Sequence, residues 1–381
     1  MSSACAGMFV FGIVMAILGA TLPSLFERIQ FSKSEAGNLF FYMNLSMLVI
    51  SLVFGPVVDR FGFKVFLAIC SLLVAGSFLI FTFAPVYSVI LMAAVILGLG
   101  GGGLNGGTNA LTSDIHPDKK SSALNLLGIF FGFGALTIPF LIGILLERWG
   151  LNAILLLAMA LSLIPFILFT VFAFPRPKHA QGFPLRQASK VIRHPILWLC
   201  GFLLFFQSGN EFTVGGWIST YLNEQFGLMP MLASLILAGY WGAIMSGRLA
   251  SSKIVRIMKN EILVLLSALL SLTAAIIIAV SPSGALASVG AVLIGLGFAA
   301  IFPTTLAVVG TTFPSFSGTA FSVIFGIALT GGMTLPWLTG KIAQAYSLRQ
   351  ALLIPVFAST MTLVLQGVIL KATKRFRITR A

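Results

Sequence analysis

Gly98-Leu99-Gly100, inside a long apolar run, returns later in the chain as Gly295-Leu296-Gly297. The copies lie 197 residues apart, and the same spacing carries Pro117 to Pro314, Pro139 to Pro336 and Gly143 to Gly340. One constant offset over several landmarks marks an internal duplication, because unrelated insertions and deletions would break the register. Composition identifies the solvent of the duplicated halves. Hydrophobic residues make up 58% of the 381 and charged residues 8%, a balance that no soluble domain shows. In a membrane, such halves are expected to share one orientation and to be related by an axis along the membrane normal.

Apolar stretches of the about 20 residues that cross a bilayer recur at 4–24, 36–57, 64–84, 86–111, 121–146, 152–174, 196–222, 229–250, 261–280, 285–312, 317–341 and 349–371. The reading is an all-α membrane protein with twelve transmembrane helices in two six-helix, pseudo-symmetric halves, 1–174 and 196–381, joined by a polar, Pro-bearing linker at 175–195. The first span has no basic leader and its apolar run passes Pro23, so it reads as a retained helix rather than a signal peptide. Basic residues orient the bundle. With both termini cytoplasmic, eighteen of the 23 Lys and Arg residues fall on inner connections or the C-terminal tail, Arg248 and Lys253 among them. Arg28, Lys33, Arg148, Lys341 and Arg349 fall outside.

The net charge of +14 is therefore a topology signal, and no soluble stretch exists to carry a nucleic-acid surface. Cys5, Cys70 and Cys200 fall in spans without paired spacing, and His116, His179 and His194 in connections, so neither a disulfide framework nor a metal site is expected. Gly100 to Gly107 lacks the Gly-Lys-Ser/Thr ending of a nucleotide loop, which removes ATP hydrolysis as an energy source. No enzymatic activity and no cofactor is expected.

After the second span the chain reads Gly55-Pro56-Val57-Val58-Asp59-Arg60-Phe61-Gly62-Phe63-Lys64. Gly55 is expected to let two helices approach closely, Asp59 to cap and pair with bases, and Gly62 to allow a tight turn. The pattern resembles the signature loop of the major facilitator superfamily, at the place that family puts it; the second half keeps only Gly247, Arg248 and Lys253 of it. With the spans and the duplication, the resemblance covers nearly the whole chain. It implies a transporter whose two halves rock about a central cavity, with Gly55, Asp59, Arg60, Gly62 and Lys64 as a conformational-switch loop. Gly100 to Asn109 and Asn210 to Leu222 are similar to the branch of fucose–proton symporters and sodium-dependent glucose transporters. That branch's proton-coupled fucose carriers use acids in the first and fourth helices; here those spans hold none, and Asn105 and Asn109 stand in the fourth.

Weight therefore shifts to Glu211, the one carboxylate of nine acidic residues that must lie within a span. Placing a carboxylate at helix-centre depth costs roughly 3 kcal/mol, so the position is a functional one by default. Such a group can be neutralised by a proton or a bound sodium ion, which makes Glu211 the expected coupling residue. Gln207 and Glu211 share a helical face, as do Asn105 and Asn109. Asn44, Asn105, Asn109, Gln207, Asn210, Glu211, Trp241 and Trp337 form the expected substrate site, amides for hydroxyl groups and indoles for stacking on sugar faces. For the amides, interhelical hydrogen bonding is an equal alternative. Gly209, Gly215 and Gly216 either let the seventh helix unwind or let it pack closely. Tyr221 reads as an interfacial belt residue. No Lys or Arg is expected inside the membrane, which disfavours anionic substrates.

The function that follows is secondary transport of a small neutral polar solute, a monosaccharide first, by a monomer in a bacterial inner membrane, with H+ or Na+ as coupling ion. The alternative is proton-coupled efflux of lipophilic or cationic drugs, which Phe richness and one buried carboxylate would also serve.

Overall fold

The computed structural model describes residues 1–116, 120–172, 174, 194–313 and 317–378. Its elements are all helices: α1 (Ser2–Arg28), α2 (Lys33–Phe83), α3 (Tyr87–Ile115), α4 (Lys120–Val171), α5 (Pro195–Phe226), α6 (Pro230–Ile254), α7 (Asn260–Val280), α8 (Gly284–Ala299), α9 (Ile301–Thr312), α10 (Ser317–Ala345), α11 (Leu348–Ala351) and α12 (Leu353–Ile378). At 51 and 52 residues, α2 and α4 are too long for single crossings. Each contains a glycine in the left-handed region, Gly62 (φ 81) and Gly150 (φ 71), where the chain reverses between two spans. Only a residue without a Cβ adopts that conformation cheaply. In the other direction, α8 and α9 make one crossing, interrupted at Ala300. Pro303 supplies the cause, since its ring collides with the carbonyl four residues back. Pro355 does the same after α11.

Among the described residues the crossings thus number twelve, as the sequence reading expects. Ten helices among the described residues are long and apolar enough to cross a membrane, one of them, Ala123–Val171, holding two crossings. The helix α5 does not reach that mark because Gln207, Asn210 and Glu211 interrupt its apolar run. Leu52, Phe83 and Val171 are 67–73% exposed, and soluble proteins do not display surfaces of that kind at such length; these side chains face lipid.

Two compact units emerge. The first holds the described residues up to 174 together with Gly216–Trp241; the second holds those of 194–215 and of 242 onward. The helices α5 and α6 therefore each contribute to both. The linker at 175–195 and the pair Pro117 and Pro314 fall, but for His194 and Pro195, outside the described residues.

Within each unit the duplication repeats at the level of contacts. A Cβ on Gly100 would lie 2.9 Å from the backbone nitrogen of Val74, and one on Gly297 would lie 2.8 Å from that of Ser271. Both members of the second pair are displaced by 197 residues from the first. Likewise Gly12 packs on Gly134 in the first unit and Gly209 on Gly331 in the second, again at offset 197. Backbones this close need glycine, so the landmarks of the repeat are helix-packing positions. Gly55 is not one of them: a Cβ there would meet nothing within 4 Å, and the close approach expected at that residue is absent. Arg28, at the end of α1, is tied to the carbonyls of Phe81 (2.6 Å) and Thr82 (3.2 Å) and to Asn152 Oδ1 (2.8 Å), which locks three spans of the first unit at one end.

Candidate substrate and coupling site

The helix α5 runs unbroken from Pro195 to Phe226. Its glycines pack rather than unwind: a Cβ on Gly209 would lie 2.8 Å from the carbonyl oxygen of Gly331, and one on Gly216 would lie 2.6 Å from the ring of Phe40. Rigidity here fixes the direction of the polar run Gln207, Asn210 and Glu211.

In the second unit, a guanidinium nitrogen of Arg248 lies 3.5 Å from Glu211 Oε1. The Glu211 side chain is 13% exposed and that of Arg248 31%. This overturns two expectations, that Arg248 belongs to a cytoplasmic connection and that no basic residue accompanies Glu211. Arg248 lies inside α6, six residues before its end at Ile254, and its long side chain spans the distance to the carboxylate on α5. The burial of a carboxylate is thereby offset by a partner.

The amides beside it are only partly committed. Asn210 donates through Nδ2 to Ser359 Oγ at 2.8 Å and to the Pro355 carbonyl at 3.2 Å, which joins α5 to α12. Its Oδ1 is buried with no partner, whereas Gln207 hydrogen-bonds the Glu211 carboxylate one turn on. A buried polar atom without a partner costs about 1–3 kcal/mol, so Asn210 Oδ1 is an acceptor that a hydrogen-bonding solute would satisfy. Sequence reasoning missed Ser359 as well as Arg248. One signal for the arginine was available: the second unit's described residues contain only two carboxyl side chains, Glu211 and Glu261.

In the first unit, Asn109 Nδ2 donates to the carbonyl of Asn105 at 2.9 Å and to its Oδ1 at 3.0 Å. The two amides share a face, as their spacing requires, and bond along α3 rather than across to a neighbouring helix. Asn44 is buried, donates to the Phe40 carbonyl at 2.9 Å, and keeps Oδ1 without a partner. Trp241 is buried with its Nε1 unpartnered, its ring edge-on to Phe131 and Tyr240. Trp337, in the second unit, is half-buried, with Lys341 Nζ 5.7 Å from the ring centroid. Tyr221 is fully buried and packs edge-on against Phe226, so it is no belt residue. In the loop after the second span Arg60 and Lys64 are exposed and Gly62 makes the turn, whereas the Asp59 side chain lies outside the described residues.

A family model described as Major Facilitator Superfamily matches residues 4–336. The chain is 24% identical over 374 residues to a glucose/galactose transporter of Brucella abortus, covering 91% of this chain and 88% of that protein. It is 25% identical over 287 residues to bypass of stop codon protein 6 of Saccharomyces cerevisiae, covering 68% of this chain but only 58% of that protein. Among solved structures, the fold matches the nucleoside transporter NupG with a TM-score of 0.79 at 14% identity, over 97% of this chain and 98% of that one. A D-xylose-proton symporter matches at 0.79 and 15%, over 96% and 95%. The fucose:proton symporter of E. coli matches at 0.66 and 17%, over 96% and 97%. At these identities the structural likeness is one of fold.

Proposed function

This chain belongs to the Major Facilitator Superfamily, and from that premise we propose that it carries a small neutral polar solute, a monosaccharide first, across a bacterial inner membrane by alternating access. It is a transporter in a membrane and not an enzyme. The observation that carries the choice of solute is the ion pair Glu211–Arg248, flanked by Gln207 and by the unpartnered Oδ1 of Asn210. An ion pair has no net charge to match a charged ligand, while orphaned donors and acceptors are satisfied by hydroxyl groups. Asn44, Asn105, Asn109 and Trp241 offer the same chemistry in the first unit. The name of the Brucella relative supports a hexose.

The efflux of lipophilic cations loses one of the two features that recommended it, because the carboxylate is not alone. Glu211 remains the coupling residue of the proposal. A proton on it, or a sodium ion beside it, changes the pairing with Arg248 and so links an ion gradient to movement of the solute. The loop Gly55 to Lys64 is proposed as the switch between inward- and outward-open states. A cytoplasmic placement of both termini rests on the distribution of basic residues, and the working unit is proposed to be a monomer.

The test is a thermal-shift screen of purified protein against hexoses, pentoses, nucleosides and lipophilic cations, with and without sodium. A ligand of the folded state raises its melting temperature by mass action. Stabilisation by D-glucose or D-galactose supports the proposal; stabilisation by cations alone refutes it.

A further inference from the structure

We infer that Arg248 determines the charge class of the substrate: it fills, as a resident cation, the place beside Glu211 that a cationic solute would otherwise take. This rests on the reading of the site as one for neutral solutes and names the residue that makes it so.

The charges of the second unit leave little choice of partners. Of its two carboxyl side chains, Glu261 lies in the first turn of α7, where Gln366 Nε2 donates to its backbone carbonyl at 2.7 Å. Glu211 is thus the one carboxylate of the second unit that lies on α5; Glu224, near the far end of that helix, belongs to the first unit and pairs with Lys33 at 2.7 Å. Aromatic rings stand along the same helix. Phe205 and Phe206 are edge-on at 5.2 Å, Phe206 is edge-on to Phe357 at 5.8 Å, and Phe212 follows Glu211 directly. A carboxylate on a helix that also carries several aromatic rings is suited to a lipophilic organic cation, by charge and by cation–π attraction. The guanidinium at 3.5 Å pre-empts that use. Since Arg248 remains 31% exposed, it is also placed to repel an approaching cation. Discrimination of this kind, by a repulsive element rather than by a better fit, is a general device of specificity.

The experiment measures binding of tetraphenylphosphonium to purified full-length protein at pH 8. Wild type should show no saturable binding up to the highest concentration tested, while Arg248→Gln should bind saturably with a Kd at least ten-fold below that concentration. Arg248→Lys keeps the charge and should bind no better than wild type. The double variant Arg248→Gln with Glu211→Gln should lose the gain, which ties it to the exposed carboxylate rather than to loosened packing. If Arg248→Gln does not purify as a folded protein, Arg248→Met keeps the aliphatic length and carries the same expectation. Saturable binding by wild type, or no gain in a folded Arg248→Gln or Arg248→Met protein, overturns the inference. Binding of D-glucose and D-galactose by wild type is read in parallel. Its absence alone counts against the proposed substrate, whereas its presence with no gain of cation binding counts against the role of Arg248.

Discussion

Replacing Glu211 by Gln keeps the shape of the side chain and removes its charge. At 3.5 Å the Coulomb attraction to Arg248 is about 5 kcal/mol with an effective dielectric of 20 and about 1 kcal/mol in bulk water. The 13% and 31% exposures put the pair between those limits. The amide oxygen that replaces the carboxylate still accepts a charge-assisted hydrogen bond worth about 1.5–3 kcal/mol, and the part-exposed guanidinium recovers some hydration. The variant should therefore lose only about 1–2 kcal/mol of stability, far from the cost of a fully buried unpaired charge, and should purify as a folded protein. Its transport should change in kind. In proteoliposomes, exchange of labelled sugar against unlabelled sugar should continue, because the hydrogen-bonding amides remain. Accumulation driven by an imposed proton or sodium gradient should fall to the level of passive equilibration, because no group beside the amides can then change its charge. Full gradient-driven accumulation by Glu211→Gln would refute the assignment of coupling to this residue.

Four further outcomes are expected. Asn105→Ala or Asn109→Ala should weaken sugar binding by about 1–3 kcal/mol if these amides contact the solute, read as a roughly 5- to 150-fold rise in Kd; loss of expression at unchanged affinity would assign them to packing. Gly216→Val drives a side chain into the ring of Phe40, where a Cβ already lies at 2.6 Å, and should lower stability by about 1–3 kcal/mol, visible as a fall in Tm; an unchanged Tm would mean that α5 yields locally. A cysteine in place of Gln181 should resist an impermeant thiol reagent applied to intact cells, against a silent background because Cys5, Cys70 and Cys200 are free but buried; ready labelling would reverse the orientation. Asp59→Asn should slow exchange while leaving sugar affinity within a few fold, and normal exchange would reduce Asp59 to a solvated helix cap.

The sequence by itself determined the medium, the number of crossings and the duplication, because these depend on quantities summed over many residues. Hydrophobic runs have the length of a bilayer whatever their neighbours do, and Gly12, Gly100, Gly209 and Gly297 keep their spacing because helix backbones touch there in both units. It also singled out Glu211, whose counterpart at the same 197-residue offset is the buried Val14; an acid against an apolar position shows in the sequence as a cost without a return. The return was invisible there. Arg248 looked like one more base of an inner connection, Asn210 like a free amide and Tyr221 like a belt residue, since one-dimensional distance to a helix end does not say which way a side chain points. Tertiary structure decided each of these by bringing α6 to α5 and α12 to α5, so that a base 37 residues away meets the acid and a serine 149 residues away takes the amide proton. Pairing across helices depends on rotation and reach, which no local pattern encodes, and for this reason the polar chemistry of the site was legible only in part before the fold was known.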